Sequence, residues 1–199
     1  MSANRAYHHG DLRAALITAS FELLAESGLQ KFSVAAVARR LKVSSAAPYR
    51  HFPDRDHLLA AVSGVAARDL NVAVLAAADS AGTDPGERLA AAAGAYVHHV
   101  SRTGAGLSVI YAAGLSRIED DDRQRHTRTL MVTLMDLAGA TGTAGYRETL
   151  LLVEATIAVA HGYIALFADG FFTRGHHSVD DIAARAVEAA RTLTPSGRP

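Results

Sequence analysis

The five prolines of this chain stand at positions 48, 53, 85, 195 and 199, leaving long tracts free of the residue that most reliably ends a helix. Those tracts are rich in alanine and leucine, and β-branched residues occur only in short runs, which predicts an all-α protein. Across residues 11–27, apolar or small side chains recur at Leu12, Leu16, Ala19, Leu23 and Leu24, the spacing of a helix that buries one face. Asp11 is its expected N-cap and Gly28 its expected stop. Ser33 is the expected cap of a second helix, with Val34, Val37, Ala38 and Leu41 at i, i+3, i+4 and i+7. A three-residue turn then leads through Ser44 and Ser45 into a short element at residues 46–51, just ahead of Pro53. Asp54 caps a long helix through Leu58, Leu59, Val62 and Val65 towards Ala78. Beyond the turn-forming residues 80–86, where Pro85 suits a first helical turn, helices are expected near residues 87–102, 106–115, 119–137, 146–168 and 179–193. That makes about nine helices.

With 199 residues, 49% of them hydrophobic, the chain has enough apolar material for a real core. It has no cysteine, which excludes disulfides, thiolate metal sites and a cysteine nucleophile. The formal net charge is zero, yet residues 1–60 hold eight Lys/Arg against five Asp/Glu and residues 61–199 hold twelve against fifteen. The N-terminal end is therefore the one suited to meeting phosphates. Residues 1–13 are polar and contain Arg5, His8, His9 and Asp11, so no secretory leader is expected. The longest apolar stretch, residues 149–167, is interrupted by Glu154, His161 and Gly162 and reads as a buried helix, not a membrane span. The expectation is a cytoplasmic protein with no membrane partner.

Helix, three-residue turn and short second helix between Val34 and His51 fit a helix-turn-helix, whose second helix offers its N-terminal residues to the DNA major groove. Ser44, Ser45, Ala46 and Ala47 are small enough for close approach to base edges; an alanine suits a thymine methyl, and a serine hydroxyl donates or accepts. Tyr49, Arg50 and His51 bring a phenol, a guanidinium and an imidazole to phosphates or, for Arg50, to guanine, while Arg55 lies in the first turn after Asp54. The plainer alternative makes Tyr49 a core residue and Arg50 a solvated charge.

The string FSVAAVARRLKVSSAAPYRHFPDRDHLLAAV, residues 32–62, resembles the DNA-binding domain of the tetracycline-repressor (TetR) family. The similarity extends back through YHHGDLRAALITASFELLAESG, residues 7–28, and covers about the first sixty residues. It rests on "VS…YRHF…(K/R)…LL" after an "A…VA…L" helix. The resemblance implies a homodimer in which an N-terminal three-helix domain, residues 1–60, is joined to a C-terminal helical bundle, residues 61–199, for ligand binding and dimerisation. It further implies repression at a palindromic double-stranded operator, relieved by a small molecule, with no cofactor. By position, Ser33, Tyr49 and Arg55 match phosphate-contacting residues, and Ser45, Ala46, Ala47 and Arg50 match residues facing bases or the adjacent backbone. His51 matches a histidine that meets a phosphate. Residues 7–10, with Arg5, resemble an arm along the minor groove, the alternative being a loosely packed tail.

The string departs from the family pattern in two places. Lys42 stands where glycine is common, which places a non-glycine at positive φ at a cost of roughly 1 kcal/mol. Pro48 replaces an aliphatic residue. With Ser45 as N-cap it falls harmlessly in the first turn, and with Ser44 as cap one early helical bond is lost. A slightly opened first turn is expected, not a broken recognition helix.

In the second half, residues 158–170 are similar to a C-terminal subclass named for a Trp-His-Gly motif, with Ala160 in place of tryptophan beside His161 and Gly162. The last two helices can pair with their symmetry mates as a four-helix bundle through Leu150, Val153, Ile157, Ile164, Ile182, Ala186 and Leu193. A ligand cavity is expected among the middle helices, with Tyr96, His99, Val100, Leu107, Tyr111, Met131, Met135, Ile157 and His161 as candidate lining. Adjacent histidines at 8–9, 98–99 and 176–177 point about 100° apart on a helix and make no i, i+4 chelate, so no metal site is expected. Glu119 with Arg123 and Asp121 with Arg125 are expected as i, i+4 ion pairs on a solvated face. The competing classes are a small helical enzyme using His98, His99, His161 or Asp120, which lacks any catalytic motif, and a DNA-binding activator or architectural protein with a sealed C-terminal core.

Overall fold

The computed structural model of the chain describes residues 9–172 and 177–194. Residues 5–8 of the expected arm, His176 and the tail at 195–199 lie outside the described residues. Within them are eight α-helices and two 3₁₀ segments, with no strand. α1 (His9–Lys31) begins two residues before Asp11, so Asp11 is not its cap; Gly28, at φ 72°, breaks the helix as expected. α2 (Val34–Arg40) follows, then a 3₁₀ segment (Pro48–Arg50), α3 (Arg55–Ser80), α4 (Pro85–Thr103), α5 (Leu107–Ile110), a second 3₁₀ segment (Leu115–Arg117), α6 (Asp121–Gly139), α7 (Tyr146–Ala168) and α8 (Val179–Arg191).

Local chemistry sets most boundaries. Ser33, Asp54, Asp84, Asp120 and Ser178 each accept a backbone N–H from the first turn of the helix they precede, and Ser178 with Asp181 completes a capping box. At the far end of α3, Arg88 donates to the carbonyls of Ala78 and Gly82, replacing partners the helix no longer supplies. α4 is the central helix, touching α1, α3, α6, α7 and α8. Where it meets α8, Gly94 admits Val187 so closely that a Cβ would stand 2.9 Å from Cγ2.

The helix expected at 106–115 stops after one turn, and Arg123 explains why. Its guanidinium is buried against α3 and donates to Ser63 Oγ and to the carbonyls of Leu115 and Ile110. Ser63 Oγ also donates to the Ile110 carbonyl, at 2.8 Å. That oxygen is thereby satisfied without an amide one turn later, and the chain turns away through Gly114 at φ 95°. The expected Glu119–Arg123 pair is therefore absent, and Arg125 pairs with Asp122, not Asp121. A Cβ on Gly64 would lie 3.0 Å from Arg123 Cα, so the α3–α6 crossing depends on this glycine.

α3 and α7 are both long and apolar enough to cross a membrane by length and composition. α3 is mostly enclosed by its neighbours, whereas α7, expected as a buried helix, buries one face only and leaves Leu151 and Leu166 exposed. Of the residues expected at a dimer interface, Val153, Ile157, Ile164, Ile182 and Ala186 lie inside the protomer, and Leu150 and Leu193 are half-buried. Helical periodicity identifies an apolar face but not which neighbour covers it.

Candidate nucleic-acid interface and ligand cavity

The helix-turn-helix is assembled from short-range bonds. Ser33 Oγ accepts the Ala36 N–H at 3.2 Å, starting α2, which buries Val34, Val37 and Ala38. At its end Lys42 takes φ 55°, with Lys42 N–H donating to the Arg39 carbonyl and Val43 N–H to that of Ala38. This is a Schellman stop with lysine in the glycine place. Arg40 folds back to pair with Glu22 and Glu26 of α1, fixing the two helices together and holding the Glu26 carboxyl below its ordinary range.

The reading element differs from expectation. Ala47 N–H takes the Ser44 carbonyl at 3.0 Å, because the next residue, Pro48, has no N–H to offer it. Arg50 and His51 continue with bonds to Ala47 and Pro48, and the result is a turn followed by 3₁₀ helix, not an α-helix over 46–51. The proline ring is buried beside Phe52, while Ser44, Ser45, Ala46, Arg50 and Tyr49 (53% exposed) face outward. Ala47, His51 and Ser33 are half-buried. Tyr49 is thus not a core residue.

Arg55 turns inward. Its guanidinium donates to the carbonyls of Leu29 and Phe32, both at 3.2 Å, lies over the Phe32 ring and pairs with Asp56. It thereby ties the start of α3 to the α1–α2 link, with 43% of the side chain still exposed. Two exposed cations that sequence reasoning missed, Arg39 and Lys42, flank the reading element. The paired arginines ending α2 were the available signal.

A cavity of about 470 Å³ lies among α3, α5, α6 and α7, walled by Leu70, Leu130, Leu134 and Val153 with Glu154 at its edge. Of the expected lining residues, Tyr111, Met131, Ile157, His161 and Leu107 are present. Tyr96 stands behind the wall, its hydroxyl 2.9 Å from His161 Nδ1 and 3.1 Å from the Leu107 N. Met135, one turn past Met131, packs on the core, as does Val100. His99 instead lines a second groove, of about 600 Å³, between α3, α4 and α8. Burial raises the pKa of both Tyr96 and Tyr111. Among the described residues no three His, Asp or Glu side chains cluster as metal ligands.

Residues 16–62 match the family described as bacterial regulatory proteins, tetR family. The match covers the helix-turn-helix and leaves the C-terminal helices outside it. The proteins so described are regulatory proteins, and it is to their domain that residues 16–62 are similar. No curated protein matches the chain. Among solved structures, a protein of unknown function from Rhodococcus sp. RHA1 is 27% identical with a TM-score of 0.69, covering 95% of this chain and 98% of that one. A tetR-family bacterial regulatory protein from Rhodococcus RHA1 shares 22% identity at a TM-score of 0.64, covering 94% and 98%. RolR in complex with resorcinol shares 21% at 0.53, covering 96% of each. These likenesses show that the fold of those proteins extends over the C-terminal helices of this chain.

Proposed function

We propose that the protein is a cytoplasmic, ligand-responsive repressor that binds a palindromic operator as a homodimer. The observation that carries this reading is the outward row of small residues at 44–46, with Tyr49 and Arg50 beside it, on a helix-turn-helix similar to that of the tetR family. Small side chains let the backbone approach base edges, Tyr49 and Arg50 reach phosphate or guanine, and the half-buried Ser33 and His51 supply further phosphate contacts. Residues 1–60 act as the DNA-reading unit and residues 61–199 as the effector and dimer unit, with α3 common to both.

Two features support the remaining parts. Leu151, Ala155, Ala158, Gly162 and Leu166 form an open small-and-apolar stripe along α7, suited to close packing against the same stripe of a second copy. The cavity beside it is apolar with few polar groups, as effector sites are, and RolR of similar fold holds resorcinol. Selecting DNA bound from a random pool tests the whole reading. A twofold-symmetric sequence is expected, whose affinity falls at least tenfold in Tyr49→Ala or Arg50→Ala with unfolding unchanged. Retained affinity in both variants overturns the assignment. Cell extract added to the wild-type complex then reports whether a metabolite releases it.

A further inference from the structure

The hydroxyl of Tyr96, fully buried on α4, has two partners, and their chemistry fixes the direction of each bond. The Leu107 backbone N–H, at 3.1 Å, can only donate, so the Tyr96 oxygen accepts it. The phenolic proton then needs an acceptor, and His161 Nδ1 lies 2.9 Å away. Were Nδ1 protonated instead, two donors would meet at one oxygen and the phenolic proton would be left unpaired in a buried site, an unfavourable arrangement. His161 is thereby held as the tautomer with its proton on Nε2. Gly106 makes room for this, since a Cβ there would stand 2.7 Å from the Tyr96 oxygen.

Resting on the reading of the 470 Å³ cavity as an effector site, we propose that its occupant is a neutral, mostly apolar molecule whose acceptor oxygen, such as a ketone or ether, is bound by His161 Nε2–H. With Nδ1 occupied by Tyr96, Nε2–H is the polar group His161 has left for the cavity it lines. Glu154, two turns earlier on the same helix and on the same cavity, disfavours anions by like charge. Binding would extend a head-to-tail chain from Leu107 N–H through Tyr96 O–H and His161 Nε2–H to the ligand, each bond polarising the next. Leu107 opens α5, three residues after Gly104, whose position against the backbone of Leu24 and Ala25 puts this chain next to α1.

Nitrogen-15 NMR of the full-length protein above pH 8, with His161 assigned through His161→Gln, reads the tautomer directly. A proton on Nε2 is expected in wild type, with loss of that bias in Tyr96→Phe; an Nδ1-protonated ring overturns the proposal. Calorimetry with 2-acetylnaphthalene, 2-ethylnaphthalene and 2-naphthoate reads the ligand class. The ketone is expected to bind at least tenfold more tightly than either of the others, with the advantage over the hydrocarbon lost in His161→Phe and partly kept in His161→Gln, whose amide N–H still donates. Equal binding of ketone and hydrocarbon, tighter binding of the naphthoate, or a preference that survives His161→Phe overturns the proposal and leaves the effector site standing. Binding by none of the three, or binding unaffected by Met131→Trp, overturns the effector site itself.

Discussion

His99 is 1% exposed, and neither ring nitrogen makes a hydrogen bond. Burial is the main cause that lowers its pKa from 6.5 to about 4, with Arg102 adding to it; Asp69 and the Ala105 backbone oppose without restoring it. Between those two values the unfolded chain binds a proton that the folded chain refuses. Stability from this residue is therefore complete above pH 6.5 and declines as the pH falls towards 4, by up to about 3 kcal/mol. Urea unfolding of wild type and His99→Leu at pH 7.5 and 5 should show the acid loss reduced in the variant; an unchanged pH dependence rules this account out. Removing an unpaired buried polar ring should leave the variant at least as stable at pH 7.5. Nothing in the sequence set His99 apart from Tyr96 or His161, since all three belong to apolar helices. Which of them meets a cavity, a partner or neither depends on helix crossings fixed by distant residues. Arg55 shows the same limit, because a first-turn arginine looks identical whether it faces a phosphate or the carbonyls of Leu29 and Phe32.

At the scale of elements, α4 ends against α1 through Gly104. Its φ of 63° is left-handed, and a Cβ there would overlap the backbone of Leu24 and Ala25 at 2.4 Å. Gly104→Ala should therefore destabilise by about 2–4 kcal/mol and raise amide exchange in α1. Gly82→Ala, at φ 88° with nothing within 4 Å, should cost only about 1 kcal/mol. Thermal unfolding separates the two, and equal losses would mean that backbone conformation alone matters. Elements set by neighbouring residues were legible in the sequence: the caps at Ser33 and Asp54, the stop at Gly28, the left-handed Lys42. The broken α5 was not, because it depends on a guanidinium arriving from Arg123. At the reading element the sequence points to Pro48 but not to the size of its effect: losing one amide leaves so short a helix as a turn followed by 3₁₀ geometry.

For the molecule as a whole, the proposed dimer makes α7 the element on which operator binding depends at a distance. Leu151→Arg should yield monomers by sedimentation and weaken operator binding at least tenfold, with the helix-turn-helix unaltered. A variant that stays dimeric excludes this stripe as the interface. The surplus of basic residues in 1–60 predicts that the same binding weakens steeply with salt. α3 carries the fold from the reading element into the effector bundle as one unbroken 26-residue rod, touching α1 near its start and α4 and α6 along its length. No severable tether exists between the two functions, so a chimera with a relative must be spliced within a helix. Adding one residue there turns the reading head by about 100° and advances it about 1.5 Å relative to its twin. In the proposed dimer, the spacing and rotational phase of the two DNA half-sites are thus recorded in the number of residues along this rod.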